Sequence, residues 1–281
     1  MKIKNDKLMG LYFIIPSLIG VAILILLPSV DVFIRSFQST VSRDFVGLQN
    51  YKEVFSNTAF KLAAKNTLKF TVICIPLLLI ISLVIALMLN KFVKSSQVLK
   101  TAFLIPMAVP IASVVLIWKV TFHKQGILSG LLVNLGIGSQ DWMKTGFAFW
   151  ILVFSYIWKN IGYTMILWLA GLNSISKEIY EAAKVDGANS WQCFVNITMP
   201  ALKPTLYTIS VLSLLNSFKV FREAYLVAGN YPDKSMYLLQ HLFNNWFRQA
   251  LFSKIAAASV VMSVVIFILI IFLQKAWESK E

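Results

Sequence analysis

Six long apolar runs dictate what this 281-residue chain can become. They lie near residues 9–34, 68–90, 101–121, 147–170, 204–227 and 254–275. A helix needs about 20 apolar residues to cross a bilayer, and each run is long enough. Hydrophobic residues make up 58% of the chain and charged residues 14%, with 21 phenylalanines. The mean hydropathy is +0.74. A soluble domain carries nearer a quarter charged residues. The expected fold class is therefore an all-α membrane protein, one domain over 1–281 with six transmembrane helices.

The first run follows Lys2, Lys4 and Lys7, as a signal peptide would. It exceeds a signal's apolar core and no small-x-small cleavage site follows, so a retained first span is expected. Prolines 16, 28, 76, 106 and 110 fall inside runs. Membrane helices tolerate them where neighbours satisfy the freed carbonyls. The IPMAVP segment should bend the third span near its cytoplasmic end.

The net charge of +14 does not point to nucleic acid. Lysines and arginines are scattered over short loops, without a basic stripe or a reading helix. A basic balance suits anionic lipid instead. Cys74 lies in an apolar run and Cys193 in a polar loop, so a disulfide is not expected. His123 and His241 are isolated, and no metal site is expected. There is no G-x-x-x-x-G-K-[ST] phosphate loop. No catalytic triad and no inverted repeat of the secondary-transporter kind is visible. Catalytic residues are accordingly not assigned.

The loop after the fourth run reads NSISKEIYEAAKVDGANSWQCFVNITMPALKP from Asn173. Ser176 can cap a short helix, with Glu178 in its first turn. Lys177 and Glu181, or Glu181 and Lys184, can pair along one side. Ile179, Ala182 and Ala183 make a small apolar face. Gly187 permits a turn other residues resist. Asn189 or Ser190 can cap a second helix carrying Trp191, Phe194, Val195 and Thr198, and Pro200 should stop it. Two short helices folded on each other are expected.

That loop resembles the "EAA" loop of the membrane subunits of bacterial ATP-binding-cassette importers, through Glu181, Ala182, Ala183, Asp186, Gly187 and the Ile197 to Pro200 segment. The words VGLQNYKEVF, NTLKF and AGLNSISKEIYEAAKVDGA are similar to the carbohydrate branch, near permeases for maltose, lactose, raffinose and glycerol phosphate. The resemblance runs over nearly the whole chain. One departure is Gly229-Asn230-Tyr231-Pro232, where that branch usually has Gly-Gly-Pro.

The resemblance implies a type I importer permease with a cytoplasmic coupling loop over 173–203. Glu178, Glu181, Ala182, Ala183, Asp186 and Gly187 would couple it to an ATPase. Its implied partners are a second homologous permease subunit forming a heterodimer, two copies of a cytoplasmic ATPase, an extracytoplasmic solute-binding protein and the lipid bilayer. The chain itself would be no enzyme and bind no cofactor, ATP and magnesium belonging to the ATPase. Both termini would be cytoplasmic in a bacterial cell membrane. Lysine totals leave orientation undecided, while the short segments beside the spans favour the N-terminus inside.

Residues 35–67, 122–146 and 228–253 would then be external. The first should hold a short amphipathic helix, and Gly126, Gly130, Gly136 and Gly138 should make turns in the second. They could receive a binding protein or rest on lipid.

A transporter also needs polar side chains facing a cavity, since charges rarely face lipid. The fourth run offers Tyr156, Lys159, Asn160 and Tyr163, and the fifth Asn216, Lys219 and Glu223. Amides can bond sugar hydroxyls while ring faces cover C–H patches. Equally, Lys219 and Glu223, four apart, could form an ion pair, and Lys159 could brace a partner. Trp118 and Trp142 are expected at the membrane interface. The expected function is a carbohydrate-importing permease subunit. The alternatives are a stand-alone secondary transporter or channel, or an importer for a non-sugar solute.

Overall fold

The computed structural model describes residues 12, 14–92, 97–136 and 138–278. Lys2, Lys4 and Lys7, residues 93–96 of the loop after the second span, and the last three residues fall outside them. Among the described residues the helices are α1 (Ile14–Arg35), α2 (Gln49–Ser56), α3 (Thr58–Phe92), α4 (Gln97–Ala108), α5 (Ile111–Phe122) and α6 (Ile127–Asn134). There follow α7 (Ala148–Asn173), α8 (Lys177–Val185), α9 (Ser190–Cys193), α10 (Lys203–Ser217), α11 (Phe221–Ala228), α12 (Leu239–Arg248) and α13 (Phe252–Glu278).

Among the described residues three stretches are long and apolar enough to cross a membrane unaided: Ile14–Arg35, Thr58–Asn90 and Phe252–Lys275. The expected third span is broken. Val98–Ala108 and Ile111–Asn134 meet at 89°, which makes a fourth if the pair is one span. The cause is the proline pair. Pro106 withdraws an amide inside α4, and Pro110, extended at φ −57° and ψ 140°, starts α5 afresh. The bend expected from IPMAVP is thus a full break. The expected fourth and fifth spans coincide with α7 and with α10–α11, the latter joined by a 3-10 turn at Phe218–Val220. Polar residues such as Lys159 and Asn160 interrupt α7, and α10 and α11, of 15 and 8 residues, are each shorter than a span, so length and composition alone do not mark them. The six-span layout is compatible with these helices.

Proline is handled differently elsewhere. Pro28 and Pro200 each follow a π-turn, Ala22–Leu26 and Phe194–Thr198. The wider turn frees the carbonyl four residues back that the proline ring would strike. As a result Pro200 does not stop its helix, which runs through it to Ala201.

The chain forms two compact units. The first comprises Leu62–Leu242 and Leu269–Glu281, and α7 is its centre. Phe149, Leu152, Val153 and Tyr156 of α7 pack with Phe70, Cys74 and Leu78 of α3 and with Val220 and Ala224. Two turns on, Met165, Trp168, Leu169 and Leu172 pack with Ala86, Leu89, Leu202 and Ile209. Trp168 Nε1 donates to Ser82 Oγ at 3.1 Å, so the buried indole keeps a partner. Trp118, expected at the membrane interface, packs inside the unit. It is buried, and its Nε1 donates to Ser155 Oγ at 2.9 Å. Trp142 is half-buried, with Nε1 donating to Ser129 Oγ at 3.2 Å. His241 is fully buried, its Nδ1 accepting from the Leu238 amide at 3.1 Å, and burial pushes its pKa down to about 4. It is therefore a neutral packing residue. Both cysteines are free and buried.

Gly162 sets the approach of α4 to α7, because a methyl there would overlap the Phe103 backbone carbonyl. Small residues let membrane helices close to backbone contact. Gly162→Ala should push α4 off α7 and lower the melting temperature of the detergent-purified protein. Gly146→Ala, where nothing lies within 4 Å, is the control. Equal melting of the two variants would refute the close approach.

The second unit comprises the described residues of Met1–Lys61 with Phe243–Ile268. Asn50 Nδ2 donates to the Ser36 and Gln38 carbonyls, both at 2.9 Å, tying α2 to the end of α1. Lys254 of α13 pairs with Glu53 at 2.9 Å and holds that carboxyl below its ordinary pKa. The most apolar stretch of α1 is 0% buried within the chain. So large an apolar surface needs lipid or a partner helix around it.

The amphipathic helix expected in 35–67 is α2, and α3 begins at Thr58, ten residues before its apolar run. Gly136 turns with a positive φ as expected, while Gly130 lies inside α6.

Candidate functional site

Two features stand apart from packing. The first is a small polar cavity of about 180 Å³, lined by residues of α4, α5, α7, α10, α11 and the 3-10 turn. Six of the seven expected path residues line it: Tyr156, Lys159, Asn160, Asn216, Lys219 and Glu223. Tyr163 is half-buried one turn further along α7 and does not. Helical spacing explains the first half. Tyr156, Lys159 and Asn160 are three and four apart, hence on one face of α7. The 3-10 turn then brings Lys219 and Glu223 round to the same space.

The pairing inside it differs from the local option. Lys219 does not pair with Glu223. Its Nζ donates to Asn216 Oδ1 at 2.8 Å. Glu223 Oε1 instead accepts from Lys159 Nζ at 2.7 Å, across 64 residues of sequence. Glu223 is buried, and its other oxygen, Oε2, has no hydrogen-bond partner among the described residues. Tyr156 OH donates to the Ser213 carbonyl and Asn160 Nδ2 to the Tyr156 carbonyl, both at 2.8 Å. The first bond fixes Tyr156 against α10, and the second folds the Asn160 amide back along α7.

Sequence reasoning passed over Arg222, which lines the same cavity and is exposed. Its signal was adjacency to Glu223. Three larger openings are found among the described residues, one of them, of about 630 Å³, beside Lys124, Ser129 and Asn134. Another, of about 660 Å³, lies between the ends of α5 and α11 and the loops around Asp141 and Tyr231. The third, about 570 Å³, is almost wholly apolar, against Ile75, Leu79, Leu206 and Phe272. Size favours them, yet a site for a polar solute is defined by converging polar groups. The 660 Å³ opening has such groups too, but only the small cavity sets a buried carboxylate with an open oxygen among them.

The second feature is the loop after α7. Ser176 caps α8, its Oγ accepting from the Glu178 amide at 3.2 Å and meeting Glu178 Oε2 at 2.6 Å. At the other end Gly187 sits at φ +82°. The Ala188 amide bonds the Ala183 carbonyl at 2.9 Å, and the Gly187 amide bonds that of Lys184 at 3.1 Å. That is a Schellman cap, which needs the left-handed conformation glycine supplies. Asn189, not Ser190, caps α9 through a reciprocal box with Gln192. Tyr180 OH and Thr198 Oγ lie 2.9 Å apart and join the two helices.

The resulting knob is self-supported and leaves most of the expected coupling residues exposed. Glu178, Glu181, Ala182, Asp186 and Gly187 are exposed, and Ala183 is half-buried. Glu181 forms no ion pair with Lys177 or Lys184 among the described residues, leaving its carboxylate available. Val185 is 88% and Trp191 70% exposed. Apolar side chains held out on a rigid polar loop mark an interaction surface.

Apolar helices enclosing a polar cavity, with an exposed two-helix loop outside, are the build of a solute-conducting membrane subunit. The chain belongs to the family of binding-protein-dependent transport system inner membrane components, whose family model matches residues 78–280. It is a transport subunit, not an enzyme, and a multi-pass protein of the cytoplasmic membrane.

It is 31% identical to the trehalose/maltose transport system permease protein MalF of Thermococcus litoralis, over 95% of this chain and 92% of that protein. It is 32% identical to the arabinooligosaccharides transport system permease protein AraP of Bacillus subtilis, over 91% and 84%. Among solved structures it resembles a chain of a bacterial ABC transporter that imports the acidic polysaccharide alginate. The TM-score is 0.81 at 22% identity, covering 99% of this chain and 98% of that one. That likeness establishes the fold.

Proposed function

We propose that this chain is the membrane-spanning permease subunit of an ATP-driven, binding-protein-dependent importer of a carbohydrate. The observation that carries this is the cavity: amides, a tyrosine and a paired carboxylate converge on one space in a chain of this family. The curated relatives named above carry trehalose, maltose or arabinooligosaccharides by name, which supports a saccharide. A non-sugar solute is the remaining alternative.

The knob over 173–203 is the coupling element. Glu178, Glu181, Ala182, Ala183, Asp186 and Gly187 would seat in a groove of a cytoplasmic ATPase, so both termini would be cytoplasmic. ATP and magnesium would bind that partner and not this chain. One such chain encloses half a path, so a second homologous permease would complete a heterodimer carrying two ATPase copies. A solute-binding protein would deliver from outside.

The path is tested by Asn160→Ala and Asn216→Ala. A lost hydrogen bond to a sugar hydroxyl costs about 0.5–1.5 kcal/mol. Each variant should lower uptake several-fold while ATPase and partner permease still co-purify. Unchanged uptake kinetics in both would remove them from the path.

A further inference from the structure

The cavity carries an unbalanced charge. Three cations line it, Lys159, Lys219 and Arg222, against one carboxylate, Glu223. Lys159 is already committed to Glu223 at 2.7 Å. Lys219 bonds only the neutral amide oxygen of Asn216. Arg222 has no ion-pair or hydrogen-bond partner among the described residues. Two positive charges are therefore left over on one wall. Both side chains are exposed within the chain, so they are open to an incoming anion. An arginine fork and a nearby ammonium are the usual pair for a carboxylate or an oxoacid.

A second group points the same way. Glu223 lines the cavity, and its Oε2 is buried and accepts from nothing among the described residues. A buried acceptor left open calls for a donor such as a hydroxyl. One ligand can meet both needs if it carries hydroxyl and acidic groups together. The cavity's volume of about 180 Å³ lies below the ~300 Å³ of ordinary ligand pockets, so it admits about one ring at a time.

We propose that Lys219 and Arg222 form an anion-binding position on the path, and that the imported saccharide bears an acidic group, of the uronic-acid type. The acid sits against Lys219 and Arg222 while a ring hydroxyl donates to Glu223 Oε2. This rests on the carbohydrate-permease reading and narrows its substrate. The same anion could come from an acidic side chain of the partner permease, and the experiment separates the two sources.

The intact complex, with partner permease, ATPase and binding protein, is titrated with a glucuronic-acid disaccharide and with maltose as its neutral counterpart. ATPase stimulation is the readout. The acidic disaccharide should be favoured about tenfold or more in half-saturating concentration. Lys219→Gln and Arg222→Gln should each erase most of that ratio, and a ratio is insensitive to a general loss of transport.

Arg222→Glu should reverse it. Equal response to both sugars, or an unchanged ratio in the variants, overturns the anion position and leaves the carbohydrate reading standing. Loss of the partner permease on purifying either Gln variant assigns the anion to the partner and overturns the solute assignment. Response to neither sugar in the wild type is the distinct failure, that of the carbohydrate reading itself.

Discussion

Gly187→Val should produce a protein that reaches the membrane at normal abundance and transports nothing. The glycine holds φ +82°, and the amides at 187 and 188 cap α8 only in that conformation. An L-residue there costs about 1–2 kcal/mol, and a β-branched one is the least tolerant. A Cβ at Gly187 would meet nothing within 4 Å, so the penalty is purely backbone strain. That gives the prediction an internal control. Asparagine enters the left-handed region several-fold more readily than most residues, so Gly187→Asn should retain substantial activity.

Ala183→Trp attacks the same surface by bulk, since Ala183 is half-buried on the knob and its carbonyl anchors the cap. Insertion depends on span hydrophobicity and not on this loop, so abundance should not change. Membrane abundance, ATPase co-purification and uptake are measured together. Normal uptake with ATPase retained in both Gly187→Val and Ala183→Trp would end the coupling assignment.

The loop was largely legible because its determinants are local. Caps, a Schellman glycine and a capping box are decided within six residues, and Ser176, Asn189 and Gly187 stand where spacing put them. What was missed there was the π-turn that carries the helix past Pro200, a register change that composition does not signal. The cavity was legible in its members and illegible in its pairing. Spacing on α7 groups Tyr156 with Asn160, and burial cost keeps Lys159 off lipid. Sequence proximity offered Glu223 only to Lys219, four residues away. Lys159, 64 residues distant, arrives through the packing of α7 against the 3-10 turn, which no local rule encodes. The same blindness hid the burial of Trp118. Its partner Ser155 lies 37 residues on, inside the unit.

The Lys159–Glu223 pair should show the largest stability effect in the molecule. Their side chains are 20% and 8% exposed, and the bond is 2.7 Å. Removing one partner of a buried pair strands the other charge and costs about 3–5 kcal/mol. Glu223→Leu and Lys159→Met should each lower the melting temperature of the purified complex sharply. The double variant, Lys159→Met with Glu223→Leu, strands neither charge and should recover most of that loss, as apolar replacements of buried pairs often do.

Uptake should not recover with it. If the pair served packing alone, an apolar substitute would restore transport along with stability. If Glu223 also receives the solute, the repaired fold still lacks its acceptor, and uptake stays at the level of the single variants. Melting temperature and uptake rate across the four proteins decide the matter. Singles that melt like the wild type would show the pair to be unimportant for the fold. A double variant that transports normally would take Glu223 off the path.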